Sequence, residues 1–335
     1  MKPTPFDQAR SLCAANNSLY SVEIDITNSC NCNCIFCFEG EDHAKRGELS
    51  LKEYSDLLFE LREMGCHYIG FSGGEPFMRS DWFDLFSLAK DYGFRCSVIT
   101  NGAFITETTL NQLKRIGFDR ISFSLHSLDK MTNNRIFGNS SMSPNHTIAM
   151  IKYGLSIGLN VGVCMTLTKY NIDDADNFVN YFLKLGVPRE KISLNRLVRG
   201  KKSITEIGPS LEQFLKKKSI LRHETNGKKD TGATTFLCSA GKITCTISSN
   251  GDVYPCGFLN CSAGNIKNQK ISDIWNGSDL FKIIRSFSEK HFSKCLSCKN
   301  SPVCNVCFAD NLHATGDVFA PDQARCAIEL ERNDD

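Results

Sequence analysis

Four cysteines fall within eight residues in Cys30-Asn-Cys-Asn-Cys-Ile-Phe-Cys37, directly after the strand-like segment SLYSVEIDIT. Thiolates are soft ligands, suited to iron–sulfur clusters and zinc. The spacing C-x3-C-x2-C selects Cys30, Cys34 and Cys37, with the aromatic Phe36 just before the last. A four-iron cube takes one thiolate per iron, so three protein ligands leave one iron open, and an open position is what a catalytic metal centre keeps. Cys32 lies two residues from each neighbour on a tight loop and is expected to point away as a bystander. A disulfide framework does not fit. Such frameworks belong to short secreted chains, and the polar start MKPTPFDQAR has no signal-peptide pattern.

A second set of thiols follows much later. Of the 17 cysteines, nine lie between 238 and 326: Cys238, Cys245, Cys256 at the end of GDVYPC, Cys261, Cys295, Cys298, Cys304, Cys307 and Cys326. Their C-x2-C pairs suit iron–sulfur clusters and also structural zinc, which wants four thiolates in a closed tetrahedron. Cys13, Cys66, Cys96 and Cys164 stand singly in ordinary segments and read as small core residues.

The elements that must position these residues are legible as a repeat. From about residue 20 to 198 the segments YSVEIDI, HYIGFS, RCSVIT, RISFSL, NVGVCMTL and KISLNRLV read as buried parallel strands, separated by amphipathic helices. Each helix ends in a glycine (Gly65, Gly93, Gly117, Gly158, Gly186), the residue suited to a left-handed closing position. Ser50 and Glu53 stand in capping-box spacing at one helix start. Six such units predict an α/β fold, a partial (β/α)6 TIM-like barrel with a C-terminal cysteine-rich extension, and place chemistry at the C-terminal strand ends. The expected divisions are an N-terminal segment over 1–19, the barrel over 20–198, a basic connector with one helix over 199–230, and the cysteine-rich domain over 231–335. The connector's lysines read as a solvated face.

Motifs occur at successive strand ends: FSGGEP with Gly73, Gly74 and Glu75; TNG with Asn101; SLHS with Ser124 and His126; and Arg135 in NNRIFG. Singly, each has a plain reading as a turn or a strand end, and His126 alone reads as a satisfied polar residue. Together with the cysteine loop they resemble the radical S-adenosylmethionine enzymes, whose signature is C-x3-C-x-aromatic-C after the first barrel strand. The resemblance implies that Cys30, Cys34 and Cys37 hold a [4Fe–4S] cluster whose open iron chelates the methionine group of S-adenosylmethionine, which the reduced cluster cleaves to a 5′-deoxyadenosyl radical. It assigns Phe36, Gly73, Gly74, Glu75, Asn101, Ser124 and Arg135 to cosubstrate binding. Glu75 would accept from the methionine ammonium and Arg135 would pair with its carboxylate, so both should act on cosubstrate affinity more than on folding.

The later cysteines resemble the SPASM extension of that family, which binds two auxiliary [4Fe–4S] clusters. The likeness implies an inner cluster on Cys238, Cys245, Cys256 and Cys307 and an outer one on Cys295, Cys298, Cys304 and Cys326, three clusters in all. Cys261 competes with Cys245 for the inner cluster, and the family's x3 is x2 in CNVC. SPASM enzymes largely rework peptides. One branch oxidises a cysteine or serine to formylglycine with an aspartate after the inner-cluster cysteine, where this chain has Gly257. The expected function is therefore a maturase that forms a side-chain cross-link in a ribosomal precursor peptide. Peptide epimerisation, sulfatase-maturase-like oxidation and action on a small molecule or tetrapyrrole are the alternatives.

Charge adds exclusions. Lys plus Arg is 39 and Asp plus Glu 37, net +2, a balance without the basic field expected of a nucleic-acid or anionic-membrane partner. A cytoplasmic enzyme is expected, with an electron donor such as flavodoxin or ferredoxin. Only about 20 residues precede the first strand, too few for a leader-binding unit of ordinary domain size, so a separate leader-binding protein, or the barrel itself, would recognise the peptide.

Overall fold

The computed structural model describes residues 5–37, 47–197, 204–217, 238–298, 306–323 and 326. After helix α1 (Pro5–Asn16) the chain alternates strand and helix: β1 (Ser21–Asp25), α2 (Leu51–Glu63), β2 (Tyr68–Ser72), α3 (Trp82–Asp91), β3 (Arg95–Thr100), α4 (Glu107–Arg115), β4 (Arg120–Ser124), α5 (Lys130–Phe137), α6 (Pro144–Ser156), β5 (Val161–Thr166), α7 (Ala175–Lys184) and β6 (Ile192–Asn195). All six expected strands are present, each within a few residues of its predicted bounds. The capping box at α2 forms as its spacing implies: the Ser50 N–H donates to Glu53 Oε2 at 2.7 Å, and the Glu53 N–H donates to Ser50 Oγ at 3.3 Å.

Short helices α8 (Ile204–Ile207) and α9 (Leu211–Lys216) follow, then strands β7 (Thr244–Ile247), β8 (Asp252–Tyr254) and β9 (Gly264–Asn265). Helices α10 (Ile271–Gly277), α11 (Asp279–Ser286), α12 (Ser293–Leu296) and α13 (Phe308–Thr315) complete the described elements. The nine strands form one sheet in the order β6-β5-β4-β3-β2-β1-β7-β8-β9. Strands β1 to β6 run parallel, and β7 joins β1 in parallel with Ser21 opposite Thr244 and Val22 opposite Cys245. β8 and β9 add on antiparallel. The barrel is thus open, and the cysteine-rich part extends its sheet. Sequence reading missed this, because four-residue β7 is too short to show periodicity.

Alternation along each strand sorts the two faces. Val22 and Ile24, Ile69 and Phe71, Cys96 and Val98, Ile121 and Phe123 are all at most 1% exposed and pack against the helix layer. Their neighbours Glu23, Ser72, Ser97 and Ser124 point into the lumen. Burying the outer-facing side chains removes the largest apolar area from water and fixes the register, since a one-residue slip would exchange the two faces. Helices of the extension seal onto the barrel: the Ile271 N–H donates to Glu60 Oε2 at 2.9 Å, and Trp275 Nε1–H to the Asn17 carbonyl at 3.0 Å. The connector is less free than its lysines imply. Lys217 bonds the Asp173 carbonyl and pairs with Asp176, which docks the end of α9 on the α7 end of the barrel. Most of the remaining connector lies outside the described residues. No described helix is long and apolar enough to cross a membrane.

Candidate active site and cysteine clusters

The first cysteine loop leaves β1 at a C-terminal strand end and is gripped from three sides. From β2, the Gly74 N–H donates to the Thr27 carbonyl and the Glu75 N–H to the Ser29 carbonyl, both at 2.8 Å. From α5, the Phe137 and Ile136 carbonyls accept from Asn33 N–H and Ile35 N–H at 2.9 and 3.0 Å. From β3, Asn101 Nδ2 donates to Asn31 Oδ1 at 2.7 Å. The glycines of GGEP serve this grip. A Cβ on Gly74 would stand 2.3 Å from the Ser29 carbonyl oxygen, and one on Gly73, at φ 128°, 2.5 Å from that of Thr27. The backbone that approaches them closely is the cysteine loop itself.

Within the loop the Cys32 thiol contacts those of both Cys30 and Cys34. Hydrogen bonding to Cys32, together with burial, pushes the Cys30 thiol up. Cys32 feels opposing effects: its bond with Cys30 lowers it, while its contact with Cys34 and burial raise it, for a result of about 12. Cys32 therefore does not point away as expected. Its Sγ also accepts from Asn101 Nδ2 at 3.7 Å, because Asn31 holds the loop turned towards β3. These soft donors, gathered on a loop with backbone anchors, fit a four-iron cluster. Among the described residues no three His, Cys, Asp or Glu side chains converge on a single ion. A cube instead wants its thiolates at separate corners.

Glu75 is fully buried. Its Oε1 accepts from Thr100 Oγ1 at 2.7 Å and the Phe77 N–H at 3.2 Å, and its Oε2 accepts from the Asn101 N–H at 2.7 Å. Burial lifts its carboxyl above the ordinary range, against the lowering effect of these donors. Ser124 ends β4 with its hydroxyl 3.4 Å from the Cys164 thiol. Phe36 stands edge-on to the His126 ring, centroids 4.9 Å apart. His126 is satisfied and buried: its Nδ1 accepts from the Thr166 N–H at 3.2 Å, and burial lowers its pKa to about 3. That matches the expectation of a polar residue in place and not a base. Arg135 is exposed on α5 and stacks over the Tyr170 ring at 3.7 Å. It forms no ion pair with a described residue, so its fork stays available for a carboxylate.

Among the later cysteines the structure groups some and separates one. Cys256 feels both Cys238 and Cys307, and burial first of all pushes its thiol up to about 11. Cys238, Cys256, Cys295 and Cys307 pack against one apolar cluster that includes Phe287, Phe292 and Phe308. Cys307 is the residue before α13, and the Cys298 N–H donates to the Cys295 carbonyl at 3.1 Å. Cys245 sits elsewhere: 1% exposed on β7, it belongs to the barrel core beside Cys66 and Arg285. Cys261 is exposed, and Cys304 lies outside the described residues. A Cβ on Gly257 would meet only Thr246, at 3.8 Å.

Sequence reading missed the residues that brace the first loop. Glu48 Oε1 accepts from Thr27 Oγ1 and from the Asn28 N–H, both at 2.8 Å. Arg79 Nη1 donates to the Ile26 carbonyl at 2.9 Å, and Asn139 Nδ2 to the Asn31 carbonyl at 2.6 Å. None stands in a motif. Glu23 was missed too: it lies in the lumen flat over Gly70, where crowding by protein atoms raises its carboxyl to about 7 although solvent still reaches it. Alternation along β1 was the available signal for a polar residue facing inward.

Comparison with known proteins bears on these assignments. The model of the Radical SAM superfamily matches residues 24–182, and that of the SPASM iron-sulfur cluster-binding domain matches residues 238–300. An AdoMet-dependent heme synthase of Methanosarcina barkeri is 27% identical over 338 residues, covering 91% of this chain and 95% of the relative. The mycofactocin maturase MftC of Mycolicibacterium smegmatis is 25% identical over 299 residues, covering 84% and 75%. In three dimensions the chain resembles Streptococcus suis SuiB bound to S-adenosylmethionine, with TM-score 0.72 and 21% identity over 92% of this chain and 77% of that one. It also resembles anSMEcpe with bound AdoMet, with TM-score 0.75 and 16% identity over 93% and 95%. At such identities the likeness to the solved structures speaks for the fold.

Proposed function

Because the chain is an enzyme belonging to the radical S-adenosylmethionine superfamily, with an iron–sulfur-binding SPASM extension, we propose that it is a maturase closing a side-chain cross-link in a ribosomal precursor peptide. The observation that carries this reading is the open lumen at the strand ends. Ile99 is 44% exposed there, and next to Cys256 stands Gly257, where a Cβ would meet only Thr246, at 3.8 Å, among the described residues. MftC, a maturase among the relatives, and SuiB solved with its precursor peptide SuiA support a peptide as substrate. Cys30, Cys34 and Cys37 would hold the cosubstrate's cluster, and the cysteines from 238 to 326 the auxiliary ones. When bound, these clusters supply the electron that cleaves S-adenosylmethionine and take up the one that closure releases.

The chain's own residues position the cosubstrate. Glu75 would meet its ammonium, Arg135 its carboxylate and Ser124 its ribose side. Closure removes two hydrogens from the peptide: one as an atom to the 5′ carbon, giving 5′-deoxyadenosine, the other as a proton with its electron. A flavodoxin or ferredoxin and a separate leader-binding protein are the partners this reading calls for.

A tetrapyrrole side chain is the second reading, favoured by the heme synthases, which align over nearly the whole chain. Anaerobic incubation with S-adenosylmethionine, a reductant and a candidate precursor peptide should give a product lighter by two hydrogens, with a fragmentation-resistant span between the joined residues. Unchanged peptide mass together with turnover of a carboxylate-bearing tetrapyrrole would replace the first reading with the second.

A further inference from the structure

We infer that Glu23 determines substrate choice: its carboxylate, laid across Gly70 on the wall of the lumen, receives an ammonium or guanidinium group carried by a substrate side chain. Lysine and arginine carry those groups in peptides, so the inference rests on the peptide reading above and narrows it. The structural ground is a row that the sheet register puts side by side. Thr246, Glu23, Gly70, Ser97 and Arg120 stand opposite one another on β7, β1, β2, β3 and β4. Their buried apolar neighbours along each strand belong to the core under the helix layer, so the row itself faces the lumen. A Cβ at position 70 would overlap both Glu23 carboxylate oxygens. Glycine is what lets the carboxylate lie flat against β2.

The groups around Glu23 are already partnered. Arg120 Nε donates to Ser122 Oγ at 3.1 Å, Arg95 pairs with Asp119 at 3.5 Å, and the Tyr68 hydroxyl bonds Ser97. Arg95, Arg120 and Glu23 all act on Tyr68, yet neither arginine pairs with the carboxylate. No hydrogen bond or ion pair joins Glu23 to a described residue, and burial is what raises its carboxyl to about 7. A carboxylate crowded by protein without a partner is unfavourable. Solvent still reaches this one, so its partner can come from outside. The setting suits a long cationic stem: Ile99, 44% exposed, stands two residues beyond Ser97 on the same face and offers apolar wall to its methylenes. Glu23 lies below the strand ends where the cosubstrate is expected, so a side chain reaching down into the lumen would meet it. A carboxylate-bearing tetrapyrrole would bring like charge to the same wall.

The test is equilibrium dialysis of reconstituted full-length protein holding S-adenosylmethionine. The probes are n-butylammonium, which reproduces the lysine stem, and capped alanine peptides with either lysine or norleucine at the centre. The parent should retain butylammonium, and should hold the lysine peptide roughly ten times or more tighter than the norleucine one. Glu23→Gln and Glu23→Met should bind both cations roughly ten- to hundredfold more weakly, with the norleucine peptide unaffected. The parent's own discrimination between the two peptides needs no variant to fold. Failure of the parent to retain butylammonium, equal retention of the two peptides, or cation affinity unaltered in folded Glu23→Gln or Glu23→Met would each overturn the inference. Butylammonium held in a Glu23-dependent way with neither peptide retained would leave the cation seat in place and overturn the peptide reading instead.

Discussion

At the scale of single residues, Glu75 does two jobs that the motif alone does not separate. It is expected to meet the cosubstrate ammonium, and it also satisfies three buried donors, Thr100 Oγ1, Asn101 N–H and Phe77 N–H. Glu75→Ala should therefore cost on the order of 3 kcal/mol of stability, since each stranded donor carries its own desolvation penalty. The urea midpoint should fall at unchanged slope. Arg135→Ala should behave oppositely. The exposed guanidinium stacks on the Tyr170 ring, so stability should change by less than about 1 kcal/mol while S-adenosylmethionine affinity drops roughly ten- to hundredfold. Equal melting of the two variants would refute this division. The expectation that both residues act mainly on the cosubstrate needs amending for Glu75, whose burial and three protein donors are not visible in a motif. Glu23 supplies a pH test. Its carboxyl is raised from an ordinary 4.5 to about 7, so its contribution to stability is full below pH 4.5 and is lost as pH rises through 7. Glu23→Gln should flatten the stability profile across that window, and an unchanged profile would mean the lumen glutamate titrates normally.

Elements rather than residues decide whether the cysteine loop keeps its shape. Gly138 caps α5 at φ 61°, and a Cβ there would sit 2.1 Å from the Asn33 carbonyl oxygen. Gly138→Ala should push the loop off α5, lowering iron occupancy at Cys30, Cys34 and Cys37 with little change at the later cysteines. Selective loss of the first cluster's absorbance and of 5′-deoxyadenosine formation is the readout. Strand and helix order from β1 to β6 was legible because apolar strands, glycine stops and a capping box all agree locally, whereas α1 was not foreseen. The brace formed by Glu48, Arg79 and Asn139 was not, since it depends on which strand ends meet in space. Cys32 was misjudged for the same reason: spacing along a loop does not say which way Asn31 turns it. Cys245 read as a ligand from its place in a cysteine series, while its burial is a property of the β7 pairing.

The whole molecule is one sheet shared by both halves. Anaerobically reconstituted protein should hold about twelve irons, four per cluster, and stoichiometric zinc with at most one cluster would contradict this. Ending the chain at residue 237 would strip β7 from β1 and leave an unpaired edge at the strand that carries the first cysteine loop. Such a truncated barrel should aggregate. Monomeric, iron-loaded truncated protein would show that the halves are independent. The pairing of Ser21 with Thr244 also bears on how the protein comes into being. β1 waits for a partner made about 220 residues later, a non-local closure that slows folding and leaves intermediates exposed. During that wait β1 is open on one side just below the loop destined for iron. How long the cysteine loop stands on a half-open sheet is thus set by the pairing of a single four-residue strand.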